Sequence, residues 1–106
     1  MSTVITLAAN EAAAKMASEK GELIDVRTLS EFEAGHIATA QNIDFLSGEF
    51  EASLPNFDRE KTYYLYCRSG TRSGKSAELL LAAGFTKVYN VGGFDSLAHA
   101  GLPVEY

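Results

Sequence analysis

The 106-residue chain has one cysteine, two prolines, two histidines and no tryptophan. One cysteine excludes an intramolecular disulfide, a CxxC redox pair and a multi-cysteine zinc site, and leaves room for one reactive thiol. Two distant histidines and one cysteine make no ligand cluster, so neither a metal nor another cofactor is expected. Basic residues are few too, nine Lys and Arg against fourteen Asp and Glu, for a net charge of -5. A nucleic-acid binder would need a basic face to displace counterions, so no nucleic-acid partner is expected. The longest apolar run, Leu79-Leu80-Leu81-Ala82-Ala83, is far from the ~20 residues of a membrane span, so no membrane partner is expected either. The opening stretch MSTVITLAANEAAAK has no basic segment ahead of its apolar residues. It does not read as a signal peptide, and the expected compartment is the cytoplasm.

Hydrophobic content of 46% with 22% charged residues is that of a folded globular chain, and the length suits one domain over residues 1–106. Residues 4–7 are β-prone. Residues 10–19 are Ala-rich and helical, with Asn10 as the expected N-cap and Gly21 as the stop. Residues 23–26 read as a buried strand that turns polar at Asp25 and Arg27. Residues 28–35 read as a short helix, with Ser30 and Glu33 at capping-box spacing and Gly35 ending it. Residues 41–45 read as a strand, and 47–54 as a short helix ended by Pro55. Residues 61–66 carry the clearest strand signal, aromatic and β-branched. Then come a basic loop at 68–74, a helix at 76–83 stopped by Gly84, a strand at 87–91, a Gly92-Gly93 turn and a helix at 94–100. Strands alternating with helices predict an α/β fold: a central parallel sheet with helices on both faces. Reactive groups in such sheets gather at the C-terminal strand ends, here Asp25 to Arg27 and Cys67.

The segment Tyr63-Tyr64-Leu65-Tyr66-Cys67-Arg68-Ser69-Gly70-Thr71-Arg72-Ser73-Gly74-Lys75-Ser76 carries the chemistry. A hydrophobic strand delivers a thiol to its end, a loop of small residues follows, and then a helix begins. That order aims backbone N–H groups and the positive end of a helix dipole at one point. Arg68, Arg72 and Lys75 add cations, and no Asp or Glu occurs between Lys61 and Ala77. Each of these features favours thiolate over thiol at Cys67, and the same cradle suits an anion bonded to the sulfur.

Three loop chemistries compete. Gly70 to Gly74-Lys75-Ser76 approaches G-x-x-x-x-G-K-[ST] but is one residue short between the glycines, which disfavours a nucleotide P-loop. A cysteine phosphatase places Arg six residues after the nucleophile; position 73 is Ser, and Arg72 comes one residue early. A phosphate needs the wider loop and a bidentate Arg, whereas the tighter loop suits one extra sulfur atom on Cys67.

The third chemistry is sulfur transfer, and here the chain resembles the single-domain rhodanese family of thiosulfate-type sulfurtransferases. The resemblance rests on Leu23-Ile24-Asp25-Val26-Arg27, on Glu31-Phe32, Gly35-His36-Ile37 and Ala40-Gln41-Asn42-Ile43, on Tyr64-Leu65-Tyr66-Cys67 with its loop to Arg72, on Gly92-Gly93-Phe94 and on Gly101-Leu102-Pro103-Val104. Leu29, Ala38, Thr39 and Leu97 depart from the family's usual Pro, Pro, Gly and Trp. The resemblance implies a rhodanese-like fold with Cys67 as nucleophile. It implies that the loop of Arg68, Ser69, Gly70, Thr71 and Arg72 binds an anionic sulfur donor such as thiosulfate. The sulfane sulfur would pass through a Cys67 persulfide to cyanide, a thiol or a protein sulfur acceptor. A non-enzymatic persulfide carrier or interaction module on the same fold is the alternative. Asp25 and Arg27 are read as a structural ion pair, and His36 and His99 as helix-end residues without a catalytic part.

Overall fold

The computed structural model describes residues 3–106; Met1 and Ser2, the start of the expected domain and of the N-terminal reading, lie outside the described residues. Five parallel strands form the central sheet, in the spatial order Ile5–Thr6, Val88–Gly93, Tyr63–Cys67, Glu22–Asp25, Gln41–Asn42. They are β1 (Ile5–Thr6), β2 (Glu22–Asp25), β4 (Gln41–Asn42), β5 (Tyr63–Cys67) and β6 (Val88–Gly93). The helices are α1 (Ala9–Ser18), α2 (Leu29–Glu33), α3 (Glu49–Ser53), α4 (Thr71–Ala82) and α5 (Phe94–His99). Two short strands, β3 (His36–Ile37) and β7 (Val104–Glu105), pair antiparallel in a separate ribbon.

β5 is central because all five of its residues are buried and its side chains alternate between two cores. Tyr63, Leu65 and Cys67 face one core with Phe50, Ala77 and Leu80, under α3 and α4. Tyr64 and Tyr66 face the other with Ala12 and Leu97, under α1 and α5. The helices thus cover both faces, as the alternating pattern predicts. Ser73, Ser76, Ala77 and Leu80 form the buried face of α4, spaced three and four apart. Leu79 and Leu81, which flank Leu80 in the apolar run, are only partly buried.

Several local expectations are corrected. Asn10 is not the cap of α1; Ala8 is, and its N–H donates to Glu11 Oε1 at 3.1 Å. The capping box of α2 is Thr28 and Glu31, two residues earlier than Ser30 and Glu33: Glu31 N–H donates to Thr28 Oγ1, and Thr28 N–H to Glu31 Oε1. Pro55 does not stop α3 sharply but sits in a 3-10 turn, Leu54–Asn56, that continues it. Gly92 and Gly93 are the end of β6, not a turn. The β3–β7 ribbon leaves no signal in the sequence, because a two-residue strand has no period to read. Thr39, where the resembled family often has Gly, sits at φ 75, the left-handed region a β-branched residue rarely adopts.

Candidate active site

The expected loop at 68–74 is shorter in the fold. β5 ends at Cys67, α4 begins at Thr71, and only Arg68, Ser69 and Gly70 connect them. Gly70 makes the turn at φ 98, a conformation without steric cost only for glycine. Three residues cannot carry the chain away from the strand end, so the first turn of α4 folds back over the sulfur. Gly70 N–H donates to Cys67 Sγ at 3.0 Å and Ser73 N–H at 3.4 Å, and Ser73 Oγ lies 3.4 Å from the same sulfur.

The Cys67 side chain has no exposed surface. Burial by itself pushes the thiol's pKa up. Hydrogen bonds from the Ser73 hydroxyl, and from the amides of Ser73, Ser69 and Gly70, outweigh it, so the thiol lies below its ordinary value. Amides of Ser69, Gly70 and Ser73 converge on the sulfur, and Ser73 lies outside residues 68 to 72, to which the resemblance assigned donor binding.

The loop rests on β6. Opposite Leu65 stands Asn90, but opposite Tyr66 stands Gly92, so Val91 is an extra residue and β6 bulges there. Gly93, opposite Cys67, lies so close to the loop that a methyl on it would overlap the Arg68 carbonyl oxygen. The Asn90 amide nitrogen donates to Gly70 O at 3.0 Å, while its Oδ1 accepts from Gly92 N–H at 3.1 Å and from Ser73 Oγ at 2.7 Å.

The cations have separate settings. Arg72 is not free: Nη1 and Nη2 grip Glu31 Oε1 and Oε2 at 2.7 and 3.1 Å. That grip, working against burial and aided by Thr28, holds the Glu31 carboxyl down to about 2. Arg68 is exposed and lines a cavity of about 310 Å³ with Arg27, Glu31, Ala34, Phe94 and Asp95. Ser69 and Thr71 are exposed beside it, and Lys75 points to solvent on α4. Asp25 and Arg27 form the buried pair expected of them, with Nη2 to Oδ2 at 2.7 Å. Arg27 also donates to Gly35 O at 2.7 Å and stacks 4.6 Å from the Phe94 ring centre. His36 lies flat on Phe32 with Nε2 3.5 Å from Glu105, and exposed His99 bonds the Asp95 carbonyl; neither joins the hydrogen bonds of Cys67. A second cavity, of about 380 Å³, lies along Leu23, Tyr64, Ile37 and Leu102, beside the N-terminal halves of β2 and β5 and away from the sulfur.

Ser73, Asn90, Glu31 and Gly93 were not picked from the sequence as site residues. Asn90 left a signal, since Asn is depleted in strand interiors and stands here between Tyr89 and Val91. Ser73 and Glu31 left none, because their roles depend on where α4 starts and how α2 is phased.

Residues 8–100 match the family model described as Rhodanese-like domain. The uncharacterized protein YqhL of Bacillus subtilis (strain 168) is 42% identical over 76 residues, 71% of this chain and 59% of YqhL. The chain therefore matches less than two thirds of that relative's length. Thiosulfate sulfurtransferase PspE of Escherichia coli (strain K12) is 32% identical over 75 residues, 71% of this chain and 72% of PspE. Among solved structures, the rhodanese-like domain protein of Staphylococcus aureus superposes with a TM-score of 0.80 at 30% identity, covering 97% of this chain and 100% of that one.

Proposed function

The chain belongs to the rhodanese-like domain family, and from that premise we propose that it is a sulfurtransferase that carries sulfane sulfur from thiosulfate to a thiophilic acceptor through a persulfide on Cys67. The observation that supports this most is the set of donors around one sulfur: two amides at 3.0 and 3.4 Å and a hydroxyl at 3.4 Å, with Cys67 the only cysteine of the chain. The likeness to PspE supports thiosulfate as the donor.

In the first step the Cys67 thiolate attacks the sulfane sulfur of thiosulfate. A new S–S bond forms, the donor's S–S bond breaks, and its electron pair leaves with sulfite. Cys67 is covered in the resting state, so this step includes a local opening over the sulfur. Arg68, exposed at the cavity beside the loop, draws the dianionic donor in. The outer sulfur of the persulfide then rests against the first-turn amides of α4, which have no partner within the helix. In the second step a thiol or cyanide attacks that outer sulfur, and Cys67 leaves as thiolate. The loop supports this choice of chemistry: its donors converge on the single Cys67 Sγ, an arrangement that suits one extra sulfur atom better than the three oxygens of a phosphate.

Mass spectrometry after incubation with thiosulfate tests the reading. A gain of one sulfur on the parent protein, absent in Cys67→Ser, together with loss of thiosulfate:cyanide turnover in that variant, is the expected result. Parental turnover in Cys67→Ser would refute it.

A further inference from the structure

Ser73 Oγ has one proton and two neighbours that could take it: Asn90 Oδ1 at 2.7 Å and Cys67 Sγ at 3.4 Å. The orientation of the Asn90 side chain is fixed by its backbone partners. Gly92 N–H can only donate and Gly70 C=O can only accept, so the amide oxygen faces the first and the nitrogen the second. The group that meets Ser73 is therefore an acceptor, and Ser73 must be the donor. A neutral thiol is a weak acceptor and loses the proton to Asn90; a thiolate is a charged acceptor and competes for it. If the hydroxyl turns to the sulfur, Asn90 Oδ1 keeps the Gly92 N–H, so no buried oxygen is orphaned.

We infer that the Ser73 hydroxyl is a rotor that follows the charge on Cys67, and that Asn90 is a positioning residue that holds its proton while the sulfur is neutral and releases it when the sulfur is charged. The value of the rotor to turnover rests on the sulfurtransferase reading; the rotor itself does not. When an acceptor attacks the persulfide, the bond to the outer sulfur breaks and its electron pair goes to Sγ. Charge appears on that atom during the step, and the hydroxyl swings to meet it, so stabilisation comes where the leaving group forms. In the persulfide Sγ is neutral, and the proton returns to Asn90.

The ionic groups near the sulfur are already committed. Arg72 of α4 is bound to Glu31 of α2, Asp25 of β2 is bound to Arg27, and β6, which carries Asn90, has no charged side chain between Val88 and Gly93. Arg68 of the loop is exposed. An alkylation midpoint between about pH 5 and 9 reports the thiol, the group that iodoacetamide modifies.

The pH profile of iodoacetamide alkylation tests the rotor without requiring turnover. Ser73→Ala removes the hydroxyl, and its midpoint is expected to rise by about one pH unit or more, since a hydrogen bond to a charged group is lost. Asn90→Leu removes the competing acceptor, and its midpoint is expected to fall, because the hydroxyl then has only the sulfur. Gly70 O keeps its bond from Gly74 N–H at 3.0 Å, so the loop retains an anchor. In Ser73→Ala/Asn90→Leu the fall is expected to vanish. A rise or no change in Asn90→Leu, or a fall of equal size in the double variant, overturns the rotor. If Asn90→Leu does not fold, the Gly92 amide resonance decides. It is expected to titrate with Cys67 in the parent and to lose most of that shift in Ser73→Ala; equal shifts in both overturn the proposal. Failure to form a persulfide would leave these profiles unaffected and would count only against the sulfurtransferase reading.

Discussion

Gly93→Ala isolates the support that β6 gives to the sulfur's hydrogen bonds. Gly93 has φ -107 and ψ 153, which any residue adopts, so alanine adds no backbone strain. The whole effect is contact. The new methyl would overlap the Arg68 carbonyl oxygen and stand 3.2 Å from the Arg68 carbonyl carbon and 3.4 Å from Ser69 Cα. Those atoms are backbone of a three-residue connection, so relief requires the loop itself to retreat, by roughly 1 Å. Gly70 N–H, one residue on, donates to Cys67 Sγ at 3.0 Å and cannot keep that bond through such a shift. A charge-assisted bond of this kind is worth about 1.5–3 kcal/mol, which is roughly a 10- to 100-fold fall in thiolate fraction near neutral pH. Overpacking should also lower folding stability by about 1–3 kcal/mol. The assay is a paired one: iodoacetamide alkylation rate against pH, and urea denaturation. Gly21→Ala is the control, since its methyl would overlap Thr62 O at the other end of β5, far from the sulfur. That variant should lose stability with an unchanged alkylation midpoint. A Gly93→Ala protein with the parental midpoint would refute the claim that β6 sets the position of the loop.

Two more outcomes follow from the charges around the loop. Glu31 is held at about 2 in the folded state, below its ordinary 4.5, so it stabilises the fold above pH 4.5 and loses that contribution as pH falls toward 2. Glu31→Gln should therefore be about 1 kcal/mol less stable at pH 7, the full linkage value being reduced by partial solvent screening; a deficit to parent that does not narrow between pH 4.5 and 2 in urea denaturation would contradict the assignment. Arg68→Ala should raise the thiosulfate KM about 2- to 5-fold, as an exposed charge permits, with little change in the rate of the acceptor half-reaction; equal effects on both half-reactions measured by stopped flow would rule out donor steering.

Much of the site can be read in the chain because its logic is local. A β-prone run ending in the one cysteine, then small residues, then a helix, is enough to put amides near a thiol: covalent connectivity keeps six consecutive residues together whatever the rest of the fold does. The parallel sheet is legible for a similar reason, since alternating strand and helix patterns leave few ways to cover both faces of β5. The expected helix starts five residues late because Thr71, Ser73 and Gly74 have weak helix propensity, and α4 extends over them through Gly70's left-handed turn and packing against β5 and β6. The partners that complete the site come from elsewhere in the sequence: Asn90 lies 17 residues from Ser73 and Glu31 lies 41 from Arg72. Their meeting depends on the bulge at Val91 and on the phase of α2, which are settled by packing between elements and have no periodic signature of their own. The chain alone thus determined which thiol stands at the end of β5 and which loop surrounds it; the tertiary structure decided which hydroxyl touches it, which cation is already bound, and what holds the loop in place.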